Sequence, residues 1–262
     1  MIKTAWLPGP ASYEQVWTAM RDFTETRTSR TPDEIWLIEH DPVYTLGQAG
    51  KPEHIIDPAG IPVVACDRGG QVTYHGPGQV TAYCLISLRR YHLFVKEYVM
   101  LLEGVLLGLL HDLGLAGACT RPGAPGVYVP LANPRQPLPE PVRTTGDNFE
   151  GLAKIAALGI KVRNGCTYHG LALNVHMDLA PFNGINPCGY QGMPTTDLYS
   201  CGVRISVQEA GDMLAARLAA AFIEYRKQKA QETSSHDTKP IDGRYTQCDG
   251  HAGGGAKPVV AG

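Results

Sequence analysis

The chain contains the stretch Arg68-Gly69-Gly70-Gln71-Val72-Thr73-Tyr74-His75-Gly76-Pro77-Gly78-Gln79, which leads directly into Val80-Thr81-Ala82-Tyr83-Cys84-Leu85-Ile86. Four glycines and a proline within twelve residues prevent a regular element, whereas the apolar run after them has the composition of a strand. Glycines also let backbone N–H groups approach a ligand closely. The pattern predicts a binding loop beside a strand, and the alternative is an ordinary glycine-rich hairpin turn.

Length and composition set the class of protein. The chain has 262 residues, of which 44% are hydrophobic and 18% charged, so it can bury a full core. Its formal net charge is -2, and no basic stripe is interleaved with aromatic residues. We therefore expect an ordered α/β protein that binds no nucleic acid.

Several features of the sequence predict a cytoplasmic protein without a membrane segment. Prolines and a glycine interrupt the first ten residues before an apolar signal core could form. The most apolar stretch, from Leu101 to Leu115, is too short to cross a bilayer. The seven cysteines are odd in number and form no CxxC pair, so reduced thiols are expected rather than a disulfide framework.

Hydrophobic periodicity and turn residues predict alternating strands and helices. We expect strands at 34–40, 61–66, 80–86, 154–162 and 171–177, and helices at about 12–28, 91–111 and 206–229. Two of these helices begin with capping-box sequences, at Ser12 and at Ser206. This mixture of strands and helices indicates an α/β chain.

One catalytic domain is predicted over residues 1–230. A proline-rich insertion without periodicity, at about 130–150, interrupts this domain. Residues 231–262 are polar, rich in glycine and poor in aliphatic side chains, so they are expected to form a disordered tail.

The second half of the chain contains a candidate nucleophile and a candidate base. Cys188 lies in Asn186-Pro187-Cys188-Gly189, a stiffened turn whose glycine leaves the backbone N–H open to a carbonyl group. Lys154 begins an apolar strand, where its charge would be poorly screened and could stabilise a nearby thiolate. An exposed loop thiol and a solvated lysine are the alternatives, because sequence spacing does not show whether the two side chains meet.

Metal and nucleotide chemistry are less favoured by the residues. Cys166 and His169 have a ligand-like spacing, but a structural zinc site needs four ligands and no second pair is present. The chain also lacks a GxxxxGK[ST] loop. We therefore predict no metal and no cofactor.

Several blocks of the sequence together resemble the octanoyltransferases of lipoate biosynthesis, which have the biotin/lipoate protein ligase-like fold. This resemblance implies an α/β fold of the α+β type, with a mixed, mostly antiparallel sheet and helices packed on one side. The signature lies between Arg68 and Tyr83, and blocks at 154–159, 169–174 and 186–189 follow in family order. The match spans about residues 36–222, whereas the long proline-rich insertion and residues 231–262 have no counterpart in the family pattern.

The resemblance implies site residues. It assigns catalysis to a Cys188/Lys154 dyad, with His75 and His169 orienting the dyad or polarising the substrate carbonyl. Backbone N–H groups near Gly78 and Gly189 would be oxyanion donors. The substrate-binding residues implied for the acyl chain are Arg68, Gly69, Gly70, Gln71, Val72, Thr73, Tyr74, His75, Gly78, Tyr83, Ala157, Leu158, Gly159, Gly170, Leu171 and Ala172.

The resemblance also implies a reaction. An octanoyl group would pass from octanoyl-acyl carrier protein to a lysine of lipoyl domains through a cysteine thioester, as the first step of endogenous protein lipoylation. The implied acceptors are the lipoyl domains of 2-oxoacid dehydrogenase complexes and the glycine cleavage H protein. The alternatives are an ATP-dependent lipoate-protein ligase of the same fold and a catalytically silent binding module. A papain-like hydrolase is disfavoured because the only histidines after Cys188 are His236 and His251.

Overall fold

The computed structural model describes residues 2–138, 149–187 and 192–236, with only the helical course given for the last four. Cys188, Gly189, residues 139–148 of the proline-rich insertion and residues 237–262 lie outside the described residues. The strands are β1 Ile2–Trp6, β2 Asp33–Ile38, β3 Val43–Leu46, β4 Val63–Ala65, β5 Val72–His75, β6 Gln79–Leu85, β7 Gly126–Pro130, β8 Leu152–Arg163 and β9 Cys166–Asn174. The α-helices are α1 Tyr13–Thr26, α2 Leu88–Tyr91, α3 Val95–Asp112 and α4 Val207–His236, and single 3-10 turns occur at Pro52–His54 and Ala180–Gly184.

Two sheets form the frame of the molecule. The larger sheet has six strands in the order β1-β2-β6-β9-β8-β7, antiparallel except for the parallel pair β1 and β2. The smaller sheet has the order β4-β3-β5, with β3 parallel to β4 and antiparallel to β5. The expected fold class, a mixed and mostly antiparallel sheet with packed helices, is confirmed.

The larger sheet is covered on both faces. In β2 and β6 the side chains alternate between the two faces, as the two-residue period of a strand requires. One set, including Ile35 and Ala82, packs against α3 and α4, while the other, including Ile38 and Tyr83, packs against Tyr13 and Met20 of α1. The expectation that helices lie on one side was therefore wrong, because the strands are apolar on both faces and each face needs a cover.

The helices differ from the sequence-based expectation in three ways. Ser12 precedes α1 but makes no side-chain capping hydrogen bond, so the first capping box is absent. The helix expected at 91–111 is divided by His92, which has a φ of 54°, into α2 and α3. The helix expected to end near Lys229 continues to His236, so the expected tail boundary at Gln231 falls within α4.

The second capping box is present. The Glu209 backbone N–H donates to Ser206 Oγ at 3.1 Å, and the Ser206 N–H donates to Glu209 Oε2 at 2.8 Å. Both bonds satisfy donors at the start of α4. Among the described residues, no helix has an apolar run long enough to span a bilayer.

Candidate active site

A cavity of about 340 Å³ lies between the larger sheet and the smaller one. Tyr13 of α1, His75 of β5 and Tyr83 of β6 all line it, so it opens on the face of the larger sheet that α1 covers. The sequence-predicted residues on its wall are Arg68, Gly69, Gly70, Gln71, Val72, Thr73, His75, Tyr83, Lys154, Ala157, Leu158, Gly159, His169, Gly170, Leu171 and Ala172. The structure thus brings together blocks of sequence that are up to about a hundred residues apart.

Glycines on β8 and β9 create part of the space. Gly159 and Gly170 are cross-strand partners. A Cβ atom on Gly170 would lie 2.0 Å from the Ala82 carbonyl oxygen, and one on Gly159 would lie 3.0 Å from the Arg68 Cδ atom. A larger residue at position 170 would collide with the Ala82 backbone, so that position needs glycine, whereas a larger residue at position 159 would crowd Arg68.

Arg68 brings a buried positive charge to the cavity. Its side chain is buried, and its guanidinium donates to Thr45 Oγ1 at 3.0 Å, to the Thr45 carbonyl oxygen and to the Gly69 carbonyl oxygen at 2.9 Å. All of these acceptors are neutral. A buried cation held by neutral acceptors retains its attraction for a negatively polarised ligand atom.

Lys154 lies on the same cavity wall, as the third residue of β8. Its side chain is only 5% exposed, and its Nζ atom donates to the Pro125 carbonyl oxygen at 3.1 Å. The ammonium also sits 5.3 Å from the ring centroid of Tyr128. The alternative of a solvated lysine at a strand end is therefore wrong, and the charge acts in a poorly screened environment.

Glu103 is the carboxylate whose charge acts on Lys154. Burial raises the pKa of Glu103, opposed by the hydrogen bond from the Gly126 N–H, 3.0 Å long, and by the Lys154 charge. A Cβ atom on Gly126 would lie 2.7 Å from Lys154 Cε, so this glycine leaves the room that the lysine stem occupies.

His75 is a neutral imidazole with a defined tautomer. Its Nδ1 atom lies 2.7 Å from Gln79 Oε1, while the Gln79 amide donates to Asn174 Oδ1 at 2.9 Å. Because Oε1 can only accept, Nδ1 carries the proton and Nε2 carries the lone pair. Burial, with a smaller contribution from His40, lowers the pKa of His75 to about 3.

His169 is held by a carboxylate. Its Nε2 donates to Asp67 Oδ1 at 3.0 Å, and the Tyr168 hydroxyl donates to Asp67 Oδ2. Burial lowers the pKa of His169 although Asp67 opposes the shift. Burial alone would raise the pKa of Asp67, but these hydrogen bonds and one from Trp17 hold it well below its usual range. His169 also adopts a φ of 58° inside β9, which few residues other than glycine do.

We expect the protein to lose stability as the pH falls below about 6.5, because buried His75 stays neutral in the folded state while the unfolded chain binds the proton. The unfolded state then holds more protons, so stability rises with pH between about 3 and 6.5. Where the unfolded state is fully protonated and the folded state is not, one such histidine changes the free energy of unfolding by about 1.4 kcal/mol per pH unit. The free energy of unfolding, measured by urea denaturation at several pH values in this range, should depend less steeply on pH in His75→Gln than in the wild type. Replacement of the exposed His111 by glutamine is the control. Equal slopes in all three proteins would contradict this explanation.

Two residues expected at the site do not line the cavity. Tyr74 alternates with Thr73 and His75 along β5, so its ring faces the other way and packs against Tyr44 and Phe182. The Gly78 N–H donates to Glu39 Oε2 at 2.8 Å, and this bond occupies the donor that was expected to bind an oxyanion.

Three residues of the site escaped the sequence-based prediction. Tyr13 comes from α1 and stacks on His75 with ring centroids 5.7 Å apart, and no local pattern indicates a contact across 62 positions. Asp67 directly precedes the glycine-rich loop, a placement that could have drawn attention to it. Thr195 lines the cavity next to Lys154 but has no motif.

Cys188 itself lies outside the described residues, but its neighbour does not. Pro187, the residue immediately before Cys188 in the sequence, is buried and lines the cavity together with Lys154. The segment that precedes the candidate nucleophile therefore approaches the same cavity as the candidate base.

Known proteins resemble this chain over most of its length. The lipoyl protein ligase A/B catalytic domain model matches residues 12–219. The octanoyltransferase of Bordetella petrii is 61% identical over 224 residues, which cover 86% of this chain and 97% of that protein. The octanoyltransferase of Bordetella bronchiseptica is 60% identical over 230 residues, covering 88% of this chain and 96% of that protein.

A solved structure shares the fold. The crystal structure of lipoate-protein ligase A bound with ATP superposes with a TM-score of 0.61 and covers 91% of this chain and 94% of that one. Its sequence identity is 15%, so this likeness concerns the fold alone.

Proposed function

We propose a mechanism for a chain that belongs to the lipoyl protein ligase A/B catalytic domain family and, within it, to the octanoyltransferases. Both the family and the fold expected from the sequence are confirmed, and the enzyme is an acyltransferase that acts in protein lipoylation. We propose further that octanoyl-acyl carrier protein is the donor, that a lysine of a lipoyl domain is the acceptor, and that Cys188 carries the acyl group between them.

The observation that carries the proposal is the position of Lys154, which is buried on the wall of a cavity also lined by Pro187 and by the glycine-rich loop. A volume of about 340 Å³ lies at the lower end of the range for small-molecule pockets. Ala157, Leu158, Leu171 and Ala172 offer apolar wall to a short chain. Burying seven aliphatic carbons there would contribute about 5–6 kcal/mol, at about 0.8 kcal/mol each.

In the first proposed step the Cys188 thiolate attacks the carrier thioester. A new S–C bond forms, the carrier S–C bond breaks, and the departing carrier thiolate takes a proton from the Lys154 ammonium. In the second step the acceptor amine attacks the Cys188 thioester, so that a C–N bond forms and the S–C bond breaks. Neutral Lys154 takes the proton that the amine loses, and the thiolate is restored.

Nucleotide activation is unnecessary in this scheme, because the exchange of a thioester for an amide is downhill. The rival function is that of an ATP-dependent ligase, because lipoate-protein ligase A has the same fold. That reaction would activate a free acid as an adenylate and would not need Cys188.

Intact mass spectrometry separates the two functions. We expect the enzyme mixed with octanoyl-acyl carrier protein to gain one octanoyl group that peptide mapping assigns to Cys188 and that a lipoyl domain removes. Free octanoate with ATP is the matched alternative donor and should leave both proteins unmodified. Acylation of the lipoyl domain by octanoate and ATP, without an enzyme adduct, would support the ligase instead.

A further inference from the structure

The side chain of Thr195 places a hydroxyl group without a partner at the cavity wall. Its Oγ1 atom is buried and has no hydrogen-bond partner among the described residues, although Thr195 lines the cavity. A buried hydroxyl that has lost water without gaining a partner destabilises the folded protein. A ligand atom in the cavity would supply the missing hydrogen bond.

The backbone sets this hydroxyl beside Lys154. The Lys154 N–H donates to the Pro194 carbonyl oxygen at 2.8 Å, and the Thr196 N–H donates to the Lys154 carbonyl oxygen at 2.9 Å. These two bonds make Lys154 and Thr195 partners in a parallel bridge. Partner residues on adjacent strands project to the same side, so the hydroxyl and the ammonium face the same part of the cavity.

The segment that holds Thr195 is fixed from a second direction. The Asn174 side-chain amide donates to the Thr196 carbonyl oxygen at 2.9 Å, and its Oδ1 accepts the Gln79 amide bond described above. The neighbouring Thr196 is buried. Because hydrogen bonds from β8 and β9 hold the backbone around Thr195, the Thr195 hydroxyl is preorganised at the cavity wall.

We propose that the Thr195 hydroxyl donates a hydrogen bond to the carbonyl oxygen of the acyl group as that oxygen gains negative charge. It keeps its proton throughout and forms no covalent bond, so it stabilises the tetrahedral intermediates on either side of the acyl-enzyme. This role replaces the one that Gly78 was expected to fill and whose N–H is engaged by Glu39. It rests on the proposed acyl transfer and names a catalytic residue for it.

A buried hydroxyl elsewhere supplies a matched control. Thr24 of α1 also has a buried Oγ1 without a partner among the described residues, but it does not line the cavity. Threonine to valine removes the hydroxyl and keeps the shape at both positions. If the hydroxyls were only structural faults, both changes would have the same effect, namely equal or higher thermal stability and unaltered turnover.

The test measures single-turnover acylation of Cys188 by octanoyl-acyl carrier protein, overall turnover and thermal unfolding in parallel. We expect Thr195→Val to lower both rates roughly 100- to 1,000-fold without loss of thermal stability, since that is the usual effect of removing one oxyanion donor. The rates of Thr195→Ser should stay within a few-fold of the wild-type rates. The rates of Thr24→Val should equal those of the wild type.

Wild-type rates in Thr195→Val would overturn the inference, and so would an equal loss in Thr195→Ser. Thr195→Ala serves as the second hydroxyl-free variant should valine prevent folding. The proposed covalent step is tested independently of this inference. Turnover by the wild-type enzyme without an adduct on Cys188 would contradict the covalent step. Slow turnover by Thr195→Val would still place the hydroxyl at the carbonyl.

Discussion

Replacing Cys188 with alanine is expected to abolish octanoyl transfer, with a loss of roughly 1,000-fold or more, because the proposed mechanism carries the acyl chain on this thiol between the two proteins. Cys188→Ser should be nearly as inactive, since a hydroxyl has no comparable ionised fraction near neutral pH. Turnover with octanoyl-acyl carrier protein and a lipoyl domain measures the effect.

The control is Cys166→Ala, which changes a half-buried thiol at the start of β9 that does not line the cavity. It should keep the wild-type rate. Appreciable turnover by Cys188→Ala would contradict the covalent mechanism while leaving the family assignment intact.

Replacing Lys154 with arginine is expected to remove most of the activity, by about 100-fold or more. The guanidinium keeps the positive charge but cannot release a proton at the working pH, so it cannot serve as the base. The Lys154 side chain is also enclosed by Gly126 and by the Pro125 carbonyl oxygen, which leaves little room for the larger head group. Steady-state rates with both protein substrates measure the loss.

A second variant separates charge from proton transfer. Lys154→Met removes the charge as well, and the pH midpoint of Cys188 alkylation should then rise, whereas Lys154→Arg should leave it closer to the wild type. Lys161→Met on the same strand is the control, since Lys161 does not line the cavity. An unchanged midpoint in Lys154→Met would remove Lys154 from the dyad.

Local patterns predicted five of the nine strands in the described residues, but they did not predict β1, β3 and β7 or the layers of the fold. They also missed β5, which forms within the glycine-rich stretch that was expected to be irregular. The strand from Val80 and the cap at Ser206 follow from residues adjacent in sequence, and both are present. The position of α1 on the opposite face of the sheet depends on which side of β2 and β6 it covers. Because these strands are apolar on both faces, the sequence contains no sign of that choice.

The site shows the same limit at the level of single residues. His75 and Arg68 could be predicted because they lie within one glycine-rich motif. Tyr74 belongs to that motif too, yet the alternation of β5 turns it away from the cavity. Thr195 could not be predicted, because its role depends on a backbone bridge to a residue 41 positions earlier in the chain.

The charges around the cavity bear on the form in which the proposed acceptor lysine would enter. Arg68 and Lys154 both line it, and no aspartate or glutamate among the described residues does. In the proposed second step Lys154 is neutral, so an incoming lysine ammonium would meet the buried Arg68 charge, which is unfavourable where water is scarce. With a reference pKa of about 10.4, roughly one lysine side chain in a thousand is uncharged near pH 7.4. In the proposed reaction the Arg68 charge therefore favours the rare nucleophilic amine over the abundant inert cation.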